Sequence, residues 1–423
     1  MTRRVISASV AAIIAAALLA GCARGPQSGK TELTLFTWVP PEELTVNQEL
    51  IGDFERQHPD LHVTILNEPS QRAMDKLQTS IAAGNAPDVM SIHGAYFLPL
   101  AAKGTLLDLD PLIKADPEFD LADFYQQLLP ICKYRGRLYS LPRYASVYVL
   151  FYNKDIFDEV GVAYPDYTWT WDSYLAAAKK LSRHSADPAQ ARYGCIIDFW
   201  GARIYPWIWQ NGGQILDASH RRCRLDQRPA EQALQFLVDL QMKYKVAPRI
   251  SQEDARETRE WFKAGRVAMF MSGAWDVQVL RRSPTLRWDI GPLPKRKERA
   301  TLAGTENYAI SSATKHPQQA WKLFRFLLSP RCQEKMAATV EKQPSRRSVA
   351  NGPYLAAKVN YNRRILVDAL GYGRLAPNVP AWDRVSHLIQ DRLDEIWIGQ
   401  KTVAQGMGQA AADVTAALSA AKE

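Results

Sequence analysis

Two kinds of pattern alternate along this chain. Short runs rich in β-branched and aromatic residues occur at 32–38, 62–66, 89–92, 147–152 and 267–271, and each predicts a β-strand. Between them lie longer segments whose apolar positions recur every three or four residues, the spacing of one helix face. Three of these have a readable start. Thr170 suits the cap of a helix whose apolar face is Tyr174, Leu175, Ala178 and Leu181. Pro229 and Pro317 each suit a first helical turn, ahead of Leu234, Leu237 and Val238 in one case and Ala320, Phe324, Leu327 and Leu328 in the other. The alternation predicts an α/β fold, and no repeat of fixed period runs through it.

With 423 residues, 47% of them apolar, the chain has enough to bury for two domains or lobes. The net charge of +9 comes from 53 Lys and Arg against 44 Asp and Glu, and the surplus is scattered. Its densest run, Pro294-Lys295-Arg296-Lys297-Glu298-Arg299, reads as a solvated loop. No basic tract is interleaved with aromatics as a nucleic-acid groove requires, so no nucleic acid is expected as a partner. At the start, Thr2-Arg3-Arg4 is a basic region ahead of an apolar stretch, 5–20, too short to span a membrane comfortably. Residues 1–22 therefore read as an export signal outside the fold. Leu19-Ala20-Gly21-Cys22 resembles the bacterial lipobox, which implies cleavage before Cys22, a lipid on that cysteine and a tether over 23–30. The twin-arginine and general export routes both fit.

Catalytic motifs are missing. There is no G-x-S-x-G elbow, no phosphate-binding G-x-x-x-x-G-K-[ST] loop, no G-x-G-x-x-G after a strand and no H-E-x-x-H. His58 and His62 have the spacing of a helical metal pair, but Pro59 and Asp60 lie between them and His62 opens a strand, so no metal is expected. Asp108 and Asp110 read as a strand-to-helix loop with a capping role. Cys132, Cys195, Cys223 and Cys332 can pair in three ways; Cys195 with Cys223 is the pair to test first. Tryptophan stands out, with 12 in the chain. Trp207 and Trp209 precede Gly212-Gly213, Trp275 follows Gly273, Trp38 ends the first strand and Trp382 follows Pro380. Flat aromatic faces beside turns suit sugar rings, whose C–H faces are apolar and whose hydroxyls need polar partners. Core filling is the alternative for Trp275 and Trp382, and the expected role of Trp169, Trp171, Trp261, Trp288, Trp321 and Trp397.

The order of segments carries a family resemblance. From Leu33-Thr34-Leu35-Phe36-Thr37-Trp38 the matching stretches run through Ala83-Gly84-Asn85-Ala86-Pro87-Asp88-Val89, Gly104-Thr105-Leu106-Leu107-Asp108-Leu109 and Phe151-Tyr152-Asn153-Lys154-Asp155-Ile156-Phe157. They continue through Trp209-Gln210-Asn211-Gly212-Gly213, Phe262-Lys263-Ala264-Gly265-Arg266-Val267-Ala268-Met269, Gly273-Ala274-Trp275 and Tyr308-Ala309-Ile310-Ser311. Each is weak alone, but their co-linear order resembles the extracellular solute-binding proteins of ABC importers, the family of the maltose-binding and glycerol-phosphate-binding proteins. The resemblance implies a two-lobe periplasmic-binding-protein-like fold with crossings near 143–147, 300–304 and 343–347. Lobe one would hold 31–144 plus 302–345, and lobe two 145–301 plus 346–423. A ligand would bind in the interlobe cleft, and hinge closure would create the surface a permease reads.

Carried over by position, the implied ligand-binding residues begin with Trp38 and Glu43 at the opening of the cleft, although Glu43 also reads as a solvated helix-start acid. His93 and Tyr96 stand where the maltose-binding branch has acidic and basic side chains, a departure that argues against maltodextrin. Arg143 and Tyr144 lie at the first crossing, where Arg143 either forks onto hydroxyls or a phosphate, or forms a hinge salt bridge. Tyr205, Trp207 and Trp209 approach the turn at 211–213, with one of the three expected in the core. Trp275 is the leading single candidate. Glu306, Asn307 and Tyr308 fall on the second crossing and Arg346 on the third; Trp382 joins the candidates as a tryptophan beside a turn.

The implied role is that of a carbohydrate-binding lipoprotein, not an enzyme, and without a cofactor. It would be monomeric, exported and anchored to the membrane through Cys22, delivering its ligand to permease transmembrane subunits with a cytoplasmic ATPase. The same fold binding glycerol 3-phosphate or a glycerophosphodiester is the alternative, favoured if Arg143, Arg346 and Arg347 converge. An exported glycan-acting enzyme is a third reading, for which no acid/base or nucleophile constellation can be named.

Overall fold

A computed structural model describes residues 29–69, 72–187, 190–197, 200–248 and 255–420. The export signal, Cys22 and the tether as far as Ser28 lie outside the described residues. In chain order the strands are β1 (Thr31–Thr37), β2 (Leu61–Asn67), β3 (Val89–His93), β4 (Lys133–Tyr134), β5 (Arg137–Leu138) and β6 (Ser140–Val147). They continue as β7 (Val149–Asn153), β8 (Tyr193–Cys195), β9 (Val267–Ser272), β10 (Trp288–Gly291), β11 (Thr301–Ile310) and β12 (Gly373–Leu375). Apart from the ribbon β4–β5, they form two sheets, so the α/β expectation holds.

The first sheet grows from β1, which pairs in parallel with β2 and β3 on its two sides. Helix Pro41–Gln57 connects β1 to β2, and local chemistry starts it there. Pro41 occupies the first turn, where its missing N–H has no bond to lose, and Glu42 and Glu43 sit at the positive end of the helix dipole. Its buried face is Val46, Leu50, Ile51 and Phe54. β11 completes the sheet. One of its edges takes β6, and the other takes β3 antiparallel and, at Thr301–Ala303, β12 in parallel. The second sheet has the order β10-β7-β9-β8. Helices Trp171–Leu181, Tyr205–Gln210, Arg228–Met242, Trp382–Trp397 and Val403–Ala420 supply much of the core on one of its faces.

Alternation along the central strands explains the layering. In β7, Leu150 and Tyr152 enter one core while Val149 and Phe151 enter the core on the opposite face. A strand buried on both faces reads as an unbroken apolar run, which is how 147–152 reads in the sequence. The run nevertheless breaks at Tyr148. Val147 pairs with Ala303 in the first sheet and Val149 with Ser272 in the second, so the chain changes sheets across one residue. Among the helix starts, Thr170 accepts from the Ser173 N–H and forms a reciprocal capping box with it, and Pro317 lies in the first turn of Pro317–Leu327.

The four described cysteines are free and buried, so the pairing of Cys195 with Cys223 is corrected. Both sit in the core of the second sheet, where burial raises the Cys195 thiol to about 12 and that of Cys223 to about 11. Burial likewise raises Cys132 to about 12 and Cys332 to about 11. Thiolate is the reactive form, and burial withholds it. We therefore expect the chain from Ser28 onward to react with none of its thiols under native conditions and with all four after unfolding without reductant. Fewer than four on unfolding would reveal a disulfide.

Candidate functional site

Three segments run side by side where the sheets meet. β6 pairs with β11 through Ala303–Ala309, and the third segment joins β6 through the Ala145 N–H, which donates to Gln343 O at 3.0 Å. The register of β6 against β11 slips at one place: Tyr144 faces Glu306 and Pro142 faces Asn307, leaving Arg143 as the extra residue of a bulge. Bulges re-aim side chains, and a proline is tolerated there because the ladder is already interrupted.

The bulged Arg143, 1% exposed, is directed at Glu43, which has no exposed surface. Arg143 Nη2 lies 2.6 Å from Glu43 Oε1, and Nη1 donates to Ser91 Oγ at 2.9 Å. The Tyr144 hydroxyl accepts from Arg143 Nη2 at 2.6 Å and donates to Glu43 Oε1 at 3.1 Å. From the third segment, Lys342 Nζ approaches Glu43 Oε2 at 2.8 Å. Burial pushes the Glu43 carboxyl upward, but Lys342 and Arg143 overcome it and hold the group below the ordinary carboxylate value. Of the two readings of Arg143, the structure has the hinge salt bridge. Glu43 is its partner and not a solvated acid.

Above this cluster lies a cavity of about 90 Å³ lined from both sheets. His93, Tyr144, Thr305, Glu306 and Lys342 face it from the first sheet and the crossings, and Ala274, Trp275 and Gln278 from helix Ala274–Leu280, which follows β9. Trp275 is 41% exposed and stands edge-on to Tyr148 with ring centroids 5.5 Å apart. On the first-sheet side His93 is flanked by Trp38 and Tyr96, with centroid spacings of 6.2 and 6.5 Å. Crowding around the His93 imidazole lowers its pKa by desolvation, against the pull of Glu306, although the ring keeps access to solvent. Burial, then Asp75 and Asp383, raise the Tyr96 phenol. Asp383 belongs to the first turn of helix Trp382–Trp397, so that helix end faces Tyr96 across the cleft.

Several expected site residues lie elsewhere. Tyr205, Trp207 and Trp209 are all buried in the second-sheet core, where Trp207 packs on Trp171, Tyr174 and Phe236. One of the three is expected there and the other two are corrected; a short helix beside a glycine turn places all of them inward. Trp382 is half-buried beside Tyr205, 6.2 Å between rings. Tyr308 is buried with the Arg143 guanidinium 4.7 Å over its ring. Asn307 is inaccessible, and its amide atoms have no protein partner. Arg346 is 4% exposed, donates to Leu328 O and Asp120 O, pairs with Asp123 at 3.2 Å and lies 4.3 Å over Phe124. It does not meet Arg143, and Arg347 points to the exterior.

Sequence reasoning missed Gln278, Lys342 and Gln343. Gln278 lies three residues after Trp275, on the same helix face, a signal available once Trp275 is chosen. Lys342 and Gln343 directly precede Pro344 but carry no motif of their own.

Replacing Arg143 by methionine would leave Glu43 buried with Lys342 as its one cation. With Lys342 still on the carboxylate, the loss is that of a hydrogen bond to a charged group, about 1.5–3 kcal/mol, which chemical denaturation will read as a lower unfolding free energy. Because the folded pKa of Glu43 is depressed, its stabilisation is fully present above the unfolded value of about 4.3 and is lost as pH falls through the folded one. Glu43→Gln should therefore flatten part of the loss of stability below about pH 4.

Residues 41–334 match the family model described as bacterial extracellular solute-binding protein. The galactooligosaccharide-binding protein of Bacillus subtilis is 23% identical over 422 residues, covering 95% of each chain. The mannitol-binding protein of Pseudomonas aeruginosa is 27% identical over 287 residues, 62% of this chain and 59% of that one. Among solved structures, an ABC substrate-binding protein from Listeria monocytogenes in complex with cycloalternan superposes with a TM-score of 0.84 at 27% identity, over 92% of this chain and 99% of that one. The two-sheet architecture, the crossings beside a lined cavity and a family match over most of the chain agree: the protein belongs to the bacterial extracellular solute-binding proteins.

Proposed function

We propose that this protein is the carbohydrate-capturing subunit of an ABC importer, binding a sugar or oligosaccharide between its lobes and handing it unchanged to a membrane permease. The observation that carries this reading is the cavity itself. The exposed Trp275 and the His93 ring, which Trp38 and Tyr96 flank, line it together with the carboxylate of Glu306 and the amide of Gln278. Aromatic faces take the apolar side of a sugar ring, and the polar groups take its hydroxyls. Relatives named for galactooligosaccharides, arabinooligosaccharides and mannitol support the ligand class.

We further infer lobes divided near the change of sheet at Tyr148, a lipid anchor on Cys22 after export, and a monomer partnered by the permease and its ATPase. The expected boundaries at 144 and 345 need adjustment in this reading, since β6 continues in the first sheet to Val147 and β12 joins it from the tail.

A phosphorylated polyol is the weaker reading. It is favoured if Arg143, Arg346 and Arg347 converge, and Arg143 and Arg346 are held apart by Glu43 and Asp123 respectively.

Thermal unfolding of the chain from Ser28 onward, which contains every described residue, tests the proposal against galacto- and arabino-oligosaccharides, mannitol and glycerophosphocholine. A ligand at a hundred times its Kd stabilises by about 2.7 kcal/mol. We expect stabilisation by a neutral saccharide, and Trp275→Ala to weaken it by about tenfold or more, the equivalent of about 1.4 kcal/mol. Stabilisation by glycerophosphocholine alone would overturn the carbohydrate reading.

A further inference from the structure

Lys342 belongs to two environments. Its half-buried side chain lines the interlobe cavity, while its ammonium lies 2.8 Å from Glu43 and 4.9 Å over the Tyr144 ring, within the buried cluster at the crossings. Glu43 is shared with a second cation, since Arg143 pairs with the same carboxylate at 2.6 Å. An ammonium has three N–H donors in a tetrahedral arrangement, and one carboxylate oxygen takes one of them. The others are free to serve an acceptor in the cavity.

The remaining ionisable lining groups narrow what that acceptor is. Glu341 is held by Arg363 at 2.5 Å, Arg281 at 2.9 Å and the Tyr361 hydroxyl at 2.8 Å. His93 has its pKa lowered by desolvation, which disfavours its cationic form. Glu306 has no ion-pair partner among the described residues, yet it lines the same cavity as Lys342. The lining therefore offers one cationic donor and one anionic acceptor. A hydroxyl both accepts and donates, so a polyol satisfies the two together, whereas a carboxylate or phosphate satisfies Lys342 and is repelled by Glu306.

We propose that Lys342 is a further ligand-binding and specificity-determining residue, donating to a hydroxyl oxygen of a neutral saccharide while Glu306 accepts from one and turns anionic sugars away. Lys342 thereby links an occupied cleft to the Glu43 and Arg143 cluster at the crossings. This inference rests on the carbohydrate reading.

Calorimetric titration of the chain from Ser28 onward tests it, with galactotriose, arabinotriose and mannitol as neutral probes and trigalacturonate as the anionic one. For the neutral probe that the wild type binds, Lys342→Met should weaken affinity by about 10- to 100-fold, the worth of a hydrogen bond to a charged group, and Lys342→Arg should recover part of it. Unliganded melting of Lys342→Met separates this loss from a folding defect. Glu306→Gln, which breaks no ion pair, should bring trigalacturonate and the neutral probe closer in affinity. Unchanged neutral binding in Lys342→Met, or unchanged discrimination in Glu306→Gln, would overturn the proposal and leave the carbohydrate reading intact. A wild type that binds none of the neutral probes would overturn both.

Discussion

Glu43 carries a charge where water does not reach, and the arrangement of the crossings follows from the need to compensate it. An uncompensated carboxylate there would be neutralised or would unfold its surroundings. Compensation comes from Arg143, which reaches Glu43 because a bulge in β6 turns it, and from Lys342, which reaches it because the third segment lies along β6. Helix Pro41–Gln57, β6 and the third segment must all be in register for the cluster to exist. The cavity shares Tyr144 and Lys342 with it, so the electrostatics that hold the crossings together also shape the cavity's lining.

The two walls are built differently. Trp38, His93 and Tyr96 come from the end of β1, the end of β3 and the helix that follows β3, all in one sheet with β11. Trp275 and Gln278 come from one short helix after β9. That helix also reaches back across the cleft: Gln278 donates to Val340 O, Arg281 pairs with Glu341, and the adjoining Arg282 pairs with Glu42. Gln278 both lines the cavity and meets the third segment, so this one helix touches the lining and the crossing beyond it.

What was legible in the sequence was local. Thr170 and Pro317 mark helix starts through chemistry confined to one turn, and both stand where their neighbours imply. β11 was not legible as a strand, because Gly304, Glu306 and Asn307 interrupt its apolar run and its pairing is supplied by β3, β6 and β12 from distant parts of the chain. Trp207 and Trp275 both lie within a few residues of glycine, yet one is core and the other faces the cavity, a distinction that depends on which side of the second sheet each helix covers. Arg143 read equally as a ligand fork or a salt bridge, since its partner lies a hundred residues away on another element.

Tyr148 is the single residue between β6 and β7, and its ring is also the one on which Trp275 stands. In a rigid-body rotation, displacement grows with distance from the axis, and a residue that joins the two bodies lies close to that axis. On the proposed lobe division, a rotation of one body on the other would carry the Trp275 ring through a smaller displacement than groups farther from Tyr148. A substitution at Tyr148 would thus disturb the join between the two sheets and the seat of the Trp275 ring together.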